Sequence, residues 1–183
     1  MSAITTPSLL SIAEFDALPD EDDLDHELHE GELVEVTFPN FVHTYLQRRM
    51  CTLLEALIGN LGMVTIEMPF QIASTARQTK RRADIGFLRR ERTQQALQAG
   101  IVEGASDLVI EVLSPSNSAS KLNRYARLCL ANGAGEFWIV DYDTKTIRVR
   151  HKDRTEREYE LGESIALTFG SGALAVSEVF QDL

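Results

Sequence analysis

Apolar residues recur along this chain with two periods. In "NFVHTYLQRRMCTLLEALIGNLG" they fall at Val42, Leu46, Met50, Leu53, Leu54, Leu57 and Ile58. Spacings of three and four predict one long amphipathic helix, stopped by Gly59 and Gly62. Apolar runs with few breaks, "MVTIEMPFQIA", "RADIGFL", "DLVIEVL" and "EFWIVD", read instead as strands buried on at least one face. Alternation at Leu33, Val34 and Val36 marks an earlier strand or hairpin turning at Gly31. "LLSIAEFDALP" predicts a short first helix with Ser11 as N-cap, and "TQQALQAG" another before "DLVIEVL". After "DLVIEVL", "SPSNSASKLNRYARLCLANGAG" reads as a serine-capped helix ended at Asn132-Gly133. "EFWIVDYDTKTIRVR" reads as a hairpin turning at Tyr142–Lys145, and a short strand near Glu158–Leu161 and a closing helix in "ALAVSEVF" complete the pattern. Helix, strands, helix and hairpin in this order describe an α/β domain with a mixed central sheet flanked by helices.

Length changes the picture little. The 183 residues suffice for one domain that buries most of its apolar surface, with a helix and acidic segment over 1–27 preceding a core over 28–183. No apolar run approaches the ~18 residues of a membrane span, and "MSAITTPSLLSIAEF" lacks the basic and apolar regions of a secretory signal. Cys51 and Cys129 have no metal-ligand spacing around them and read as structural thiols, so a cytoplasmic protein is expected.

Charge changes it more. A net charge of −10 argues against a nucleic-acid binder when taken whole. The average hides a division: Glu14 to Glu35 carries eleven acidic residues and no Lys or Arg, whereas "RQTKRRADIGFLRRER" carries seven basic residues against Asp84 and Glu91. The basic run is either a solvated face or a local surface able to hold a phosphodiester backbone.

Three acidic residues sit among apolar strand residues. Glu111 is flanked by Val109-Ile110 and Val112-Leu113, Asp84 opens "DIGFL", and Glu32 opens "ELVEV". A carboxylate in such a strand loses hydration worth several kcal/mol unless something positive meets it. Gathered at strand ends, such groups suit a hard divalent cation, for Mg²⁺ takes one or two carboxylates plus water. Without a cation they raise one another's pKa until one is neutral.

The pattern "RRADIGFL … DLVIEVLSPS … ANGAGEFWIVD", preceded by "HEGELVEV", resembles the bacterial family of putative restriction endonucleases, part of the PD-(D/E)XK nuclease superfamily. The likeness runs from about Leu28 to Phe180 and implies a restriction-endonuclease-like fold. It implies Asp84 and Glu111 as acidic ligands of Mg²⁺ or Mn²⁺, with the Val112 carbonyl as a third. Glu32 resembles the family's additional acidic residue. His43 matches a histidine often found at the start of the following helix, though a local packing or capping role accounts for it as well. The superfamily's lysine is absent at Leu113. Aligned without gaps, the helix position from which this family usually supplies it is Tyr125. Lys121 lies one turn earlier on the same face, within about 5.4 Å of rise, and is the expected replacement, with Arg124 second. The other reading is a site that has lost its lysine.

The resemblance implies metal-assisted hydrolysis of phosphodiester bonds in nucleic acid, with DNA the favoured substrate. Arg81, Arg82, Arg89 and Arg90 would hold flanking phosphates. A dinucleotide-binding domain fits poorly, because "SPSNSAS" has no glycine for close approach of a pyrophosphate. A serine hydrolase fits no better, because no GxSxG elbow surrounds Ser114 or Ser116. Two alternatives stay open. One is a non-catalytic module on the same fold that binds nucleic acid or a protein partner. The other concerns assembly: Phe137, Trp138 and Tyr142 form either core or a homodimer interface.

Overall fold

The computed structural model describes residues 9–19, 25–36, 38–114 and 118–183. The first helix, α1 (Ile12–Asp16), is closed by a capping box in which Ser11 and Glu14 bond each other's backbone N–H. It is shorter than the apolar pattern suggests. β1 (Asp25–His29) and β2 (Glu32–Val36) form a hairpin whose turn residues, Glu30 and Gly31, have φ of 50° and 86°. Positive φ at both is what a two-residue hairpin of this hand requires. Among the described residues the sheet starts at Asp25, three residues before the expected start of the core at residue 28. Residues 20–24 of the acidic segment, like Ser116, lie outside the described residues.

The long helix α2 (Phe41–Ile58) starts at Asn40, whose Oδ1 accepts the His43 N–H at 2.9 Å. It passes through a single 3₁₀ turn into β3 (Gly62–Ile72), which pairs along its length with β4 (Thr79–Arg89). α3 (Arg90–Ala99) leads to β5 (Leu108–Val112), and α4 (Ala119–Ala131) begins at the N-cap Ser118. β6 (Glu136–Asp141), β7 (Thr146–His151) and β8 (Glu156–Tyr159) complete the main sheet. β9 (Ser164–Ala166) and β10 (Ala173–Ala175) make a separate small ribbon before α5 (Val176–Val179). The closing segment is thus strand as far as Ala175, and only its last turn is helix.

Among the described residues the main sheet runs β2-β1-β4-β5-β6-β7-β8, with β3 on the remaining edge of β4. β5 and β6 are parallel, joined by the α4 crossover, and the other pairs are antiparallel. This is the expected mixed α/β sheet flanked by helices. Alternate residues of β5 feed two cores. Leu108, Ile110 and Val112 pack with Leu46, Met50, Leu54 and Trp138 on the α2 side. Val109 packs with Tyr125, Cys129 and Phe137 on the α4 side. Phe137 and Trp138 are wholly buried, so both are core side chains, and Tyr142 is partly buried against the same core. Cys51 and Cys129 are buried and unpaired. No helix among the described residues is long and apolar enough to cross a membrane.

Gly62 fixes the start of β3. A Cβ there would stand 1.9 Å from the Leu88 carbonyl oxygen and 2.9 Å from the Arg89 Cα, backbone atoms that cannot yield without breaking the β3–β4 ladder. Gly62→Ala is expected to destabilise the fold by about 1–3 kcal/mol. Urea unfolding measures this, and an unchanged midpoint would contradict the packing described.

Candidate active site

β4 has one edge filled by β3, and its other edge is shared. β5 pairs with it only at Ile85, Gly86 and Phe87, and β1 only at Lys80. On that edge, residues 81–84 pair with no strand among the described residues. Side-chain carboxylates take the place of the missing ladder. The Arg82 N–H donates to Glu27 Oε1 at 2.9 Å, the Asp84 N–H to Glu111 Oε1 at 3.3 Å, and the Val112 N–H to Asp84 Oδ2 at 2.7 Å. Extending the Ile85–Ile110 register by one residue sets Asp84 opposite Glu111. The two expected acidic residues therefore meet where the sheet forks.

The opposite edge is disturbed at the same level. Ile66 pairs with Ile85 and Met68 with Ala83, but Glu67 between them adopts a left-handed φ of 49°. Its Oε1 accepts the Gln47 amide at 2.6 Å, and the same Gln47 nitrogen is 3.4 Å from Asp84 Oδ1. His43, one turn before Gln47 on α2, places Nε2 3.1 Å from Asp84 Oδ1. Burial works against an imidazolium at His43, but the bond to Asp84 and the charges of Asp84 and Glu67 outweigh it and raise its pKa.

Glu111 is buried, and burial first, then the charge of Asp84, push its pKa well above the ordinary carboxylate range. The cation that faces it is Arg81. The Arg81 guanidinium lies over the Tyr125 ring at 3.5 Å from its centre. Tyr125 is in turn set edge-on to Phe137. Burial disfavours the Arg81 charge, yet Tyr125, Glu111 and Glu27 more than compensate and raise its pKa. Its Nε and the Tyr125 hydroxyl are buried without a hydrogen-bond partner among the described residues.

A cleft of about 880 Å³ opens over these groups, lined among others by Glu27, His43, Gln47, Glu67, Arg81, Asp84, Glu111 and Val112. The expected residues divide accordingly. Asp84, Glu111, Val112, His43, Arg81 and Arg82 come together. Glu32 does not: it is exposed at the first position of β2, paired with His29 and outside the cleft lining. β1 contributes Asp25 and Glu27 to the lining, and of these Glu27 accepts the Arg82 N–H. Lys121 is exposed on the first turn of α4 and is also outside the lining. It is near enough to His29 to disfavour the imidazolium there. Arg124 is bonded to Glu30. Arg89 and Arg90 sit at the far end of β4, about 16–20 Å from Asp84 at ~3.3 Å per residue, where they bond Asp107 and the Asn60 carbonyl. The four arginines therefore form no common surface, because a strand carries its ends apart.

The sequence also carried signals that went unused. Glu67 interrupts an apolar strand just as Glu111 does, and Gln47 follows His43 at the four-residue spacing that shares a helix face. Glu27 shows no comparable signal, lying within a dense acidic segment.

The donors suit a hard cation. Among the described residues no three His, Cys, Asp or Glu side chains converge as a metal cluster, and Asp84 and Glu111 are two carboxylates, the number Mg²⁺ takes with water.

Residues 12–179 match the sequence model of the family described as putative restriction endonuclease, and the chain belongs to that family. Its function is, in general terms, that of a nuclease family. A solved structure described as a putative nuclease belonging to DUF820, from Anabaena variabilis, has the same fold. Its TM-score is 0.80 at 21% identity, over 93% of this chain and 97% of that one. No curated protein matches the chain.

Glu27 permits a test of the cleft's electrostatics. Burial raises its pKa, but the His29 bond, the Arg81 charge and the Arg82 N–H lower it further, so the net shift is down. A depressed carboxylate contributes stability that is present above its unfolded pKa and is lost as pH falls through its folded value. Glu27→Gln is expected to cost about 1–3 kcal/mol at neutral pH. The gap to wild type should close below about pH 4, the ordinary carboxylate range. Thermal melts from pH 3 to 8 read this, and a gap that stays constant over that range would refute it.

Proposed function

We propose that this chain is a metal-dependent endonuclease that hydrolyses phosphodiester bonds of nucleic acid, DNA in the first place. The observation that carries the reading is the pairing of Asp84 with a buried Glu111 at the fork of the sheet, inside a cleft open to substrate. Asp84, Glu111 and the Val112 carbonyl would hold Mg²⁺ or Mn²⁺. When bound, such an ion polarises a phosphoryl oxygen and lowers the pKa of a coordinated water.

The chain's own groups account for the rest. The Val112 N–H on Oδ2 and Gln47 and His43 at Oδ1 fix the Asp84 carboxylate in one orientation, so that little reorganisation is needed when a ligand arrives. Arg81 presents a permanent charge on the Glu111 side of the cleft, able to meet charge developing on the phosphate. Its stack on Tyr125 holds the guanidinium in place. Lys121, at the exposed rim, is suited to an outer phosphate.

A second reading has a specific observation behind it. Tyr125 stands where the resemblance places a lysine, and Arg81 is already drawn towards Glu27 at 3.6 Å. A chain with this arrangement could keep the fold to bind nucleic acid without cleaving it.

Conservative variants separate the two readings. Asp84→Asn keeps an acceptor for the Val112 N–H, and Glu111→Gln keeps one for the Asp84 N–H, while each removes a charge. Calorimetric titration of Mn²⁺ should show one site in the wild type and none in either variant. Cleavage of plasmid DNA should fall by about a hundredfold or more, the scale of losing one preorganised electrostatic contact. A wild type that binds no Mn²⁺ and cuts nothing supports the binding module and contradicts the enzyme.

Arg81 permits an independent test. Arg81→Met should leave Mn²⁺ binding within about tenfold of wild type while abolishing most cleavage. Equal cleavage by this variant would remove Arg81 from the reaction.

A further inference from the structure

A second cavity, of about 820 Å³, lies between α4 and the turn that joins β7 to β8. Arg127 of α4 and Arg150, Lys152 and Arg154 of the β7 end and its turn line it, with Glu156 the carboxylate among the lining residues. Glu156 bonds Arg150. Asp153 of the same turn spends its Oδ1 on the N–H and hydroxyl of Thr155. Among the described residues no carboxylate lies within ion-pair distance of Arg127, Lys152 or Arg154. In a chain of net charge −10, cations left without a counter-charge around one concavity are unusual.

α4 connects this cavity to the active-site cleft. Its thirteen residues, Ala119–Ala131, include Lys121, Arg124 and Arg127 and no acidic residue. All three basic side chains are exposed, Arg124 with a bond to Glu30, and a spacing of three keeps them on one ridge about 9 Å long. The ridge passes the β1–β2 turn, where Arg124 bonds Glu30 next to His29 of the cleft lining, and ends in the second cavity. Along the sheet, the two ends are Val140, which pairs with Val112, and Glu136, which pairs with His151. Four steps of a strand make about 13 Å, or about four base pairs of duplex at ~3.4 Å each.

We infer that the α4 ridge and this cavity form a track for the phosphate backbone of duplex nucleic acid flanking the cleavage site. The inference rests on the nuclease reading above and supplies what the active-site cleft does not. There Arg81 and Arg82 face Glu27, Asp25 and Glu67, so they are poorly placed to attract a polyanion. Contacts of this kind position substrate without reading its sequence.

Fluorescence anisotropy of a labelled DNA duplex in EDTA measures binding without cleavage. Wild type is compared with a triple variant, Arg127→Gln, Lys152→Gln and Arg154→Gln, and with a control pair on exposed positions of α2 and β8, Arg48→Gln and Arg157→Gln. Removing three phosphate contacts should lower affinity by about tenfold or more at about 0.1 M salt. It should also reduce the slope of log affinity against log salt by about 2–3. The control pair should change neither, and thermal melts of all variants should match wild type within a few degrees. Wild-type affinity and slope in the triple variant would overturn the track while leaving the nuclease reading intact. No binding of DNA by the wild type would overturn both.

Discussion

The edge of β4 between Lys80 and Ile85 has no partner strand among the described residues, and the backbone N–H groups there must still be bonded. Glu27 and Glu111 meet that demand from the two flanking strands, and Asp84 answers in the other direction by accepting from Val112. The site is therefore part of the sheet's own hydrogen bonding. It follows that its carboxylates are held by backbone geometry, and that the buried Glu111 is retained although its charge is disfavoured. A carboxylate used in this way is oriented before any ligand arrives, which is the main requirement for electrostatic catalysis.

Placement at the fork also brings both layers of the fold to one point. α2 sends His43 and Gln47 to Asp84, while α4 supplies Tyr125 as the platform for Arg81. Burial alone would leave an excess of negative charge there. The cations that offset it come from the adjacent positions of β4, so each has a short, fixed path to its partner. Those cations are paired within the cleft, so on the proposed reading long-range attraction of a polyanionic substrate falls to surfaces outside it, and Arg81 acts on a phosphate already bound. An acidic protein can bind nucleic acid if its basic groups are gathered where its acidic groups are not.

The fold was largely legible in the chain. Periodicity located α2, α4 and the strands around Glu111, and Ser11, Ser118 and Gly31 act in the local roles their types suggest. The β9–β10 ribbon was not legible, because three-residue strands leave no period to detect. The apolar neighbours of Glu111 and Asp84 single both out, and the structure places both in the cleft lining. Glu136 shows the limit of that logic. It too is a buried strand carboxylate, but neutral donors meet it, the Trp138 indole at 2.7 Å and the Thr168 hydroxyl, so burial alone does not distinguish a structural acid from a reactive one. Glu32 and Glu27 show another. They lie on paired strands of one hairpin, and only the tertiary position of that hairpin decides which reaches the cleft. Helix spacing, which can be counted along the chain, points to Lys121, whereas the reach of Arg81 from its strand across to Tyr125 on α4 cannot be counted in that way.

The central claim is that Asp84 and Glu111 act as one divalent-cation site at the fork of the sheet. The most direct measurement is anomalous diffraction from crystals of the wild-type protein grown with Mn²⁺. The account predicts an anomalous peak at the fork within coordination distance of oxygens from both carboxylates. Full Mn²⁺ occupancy elsewhere, with Asp84 and Glu111 sharing a proton and no ion between them, would contradict it.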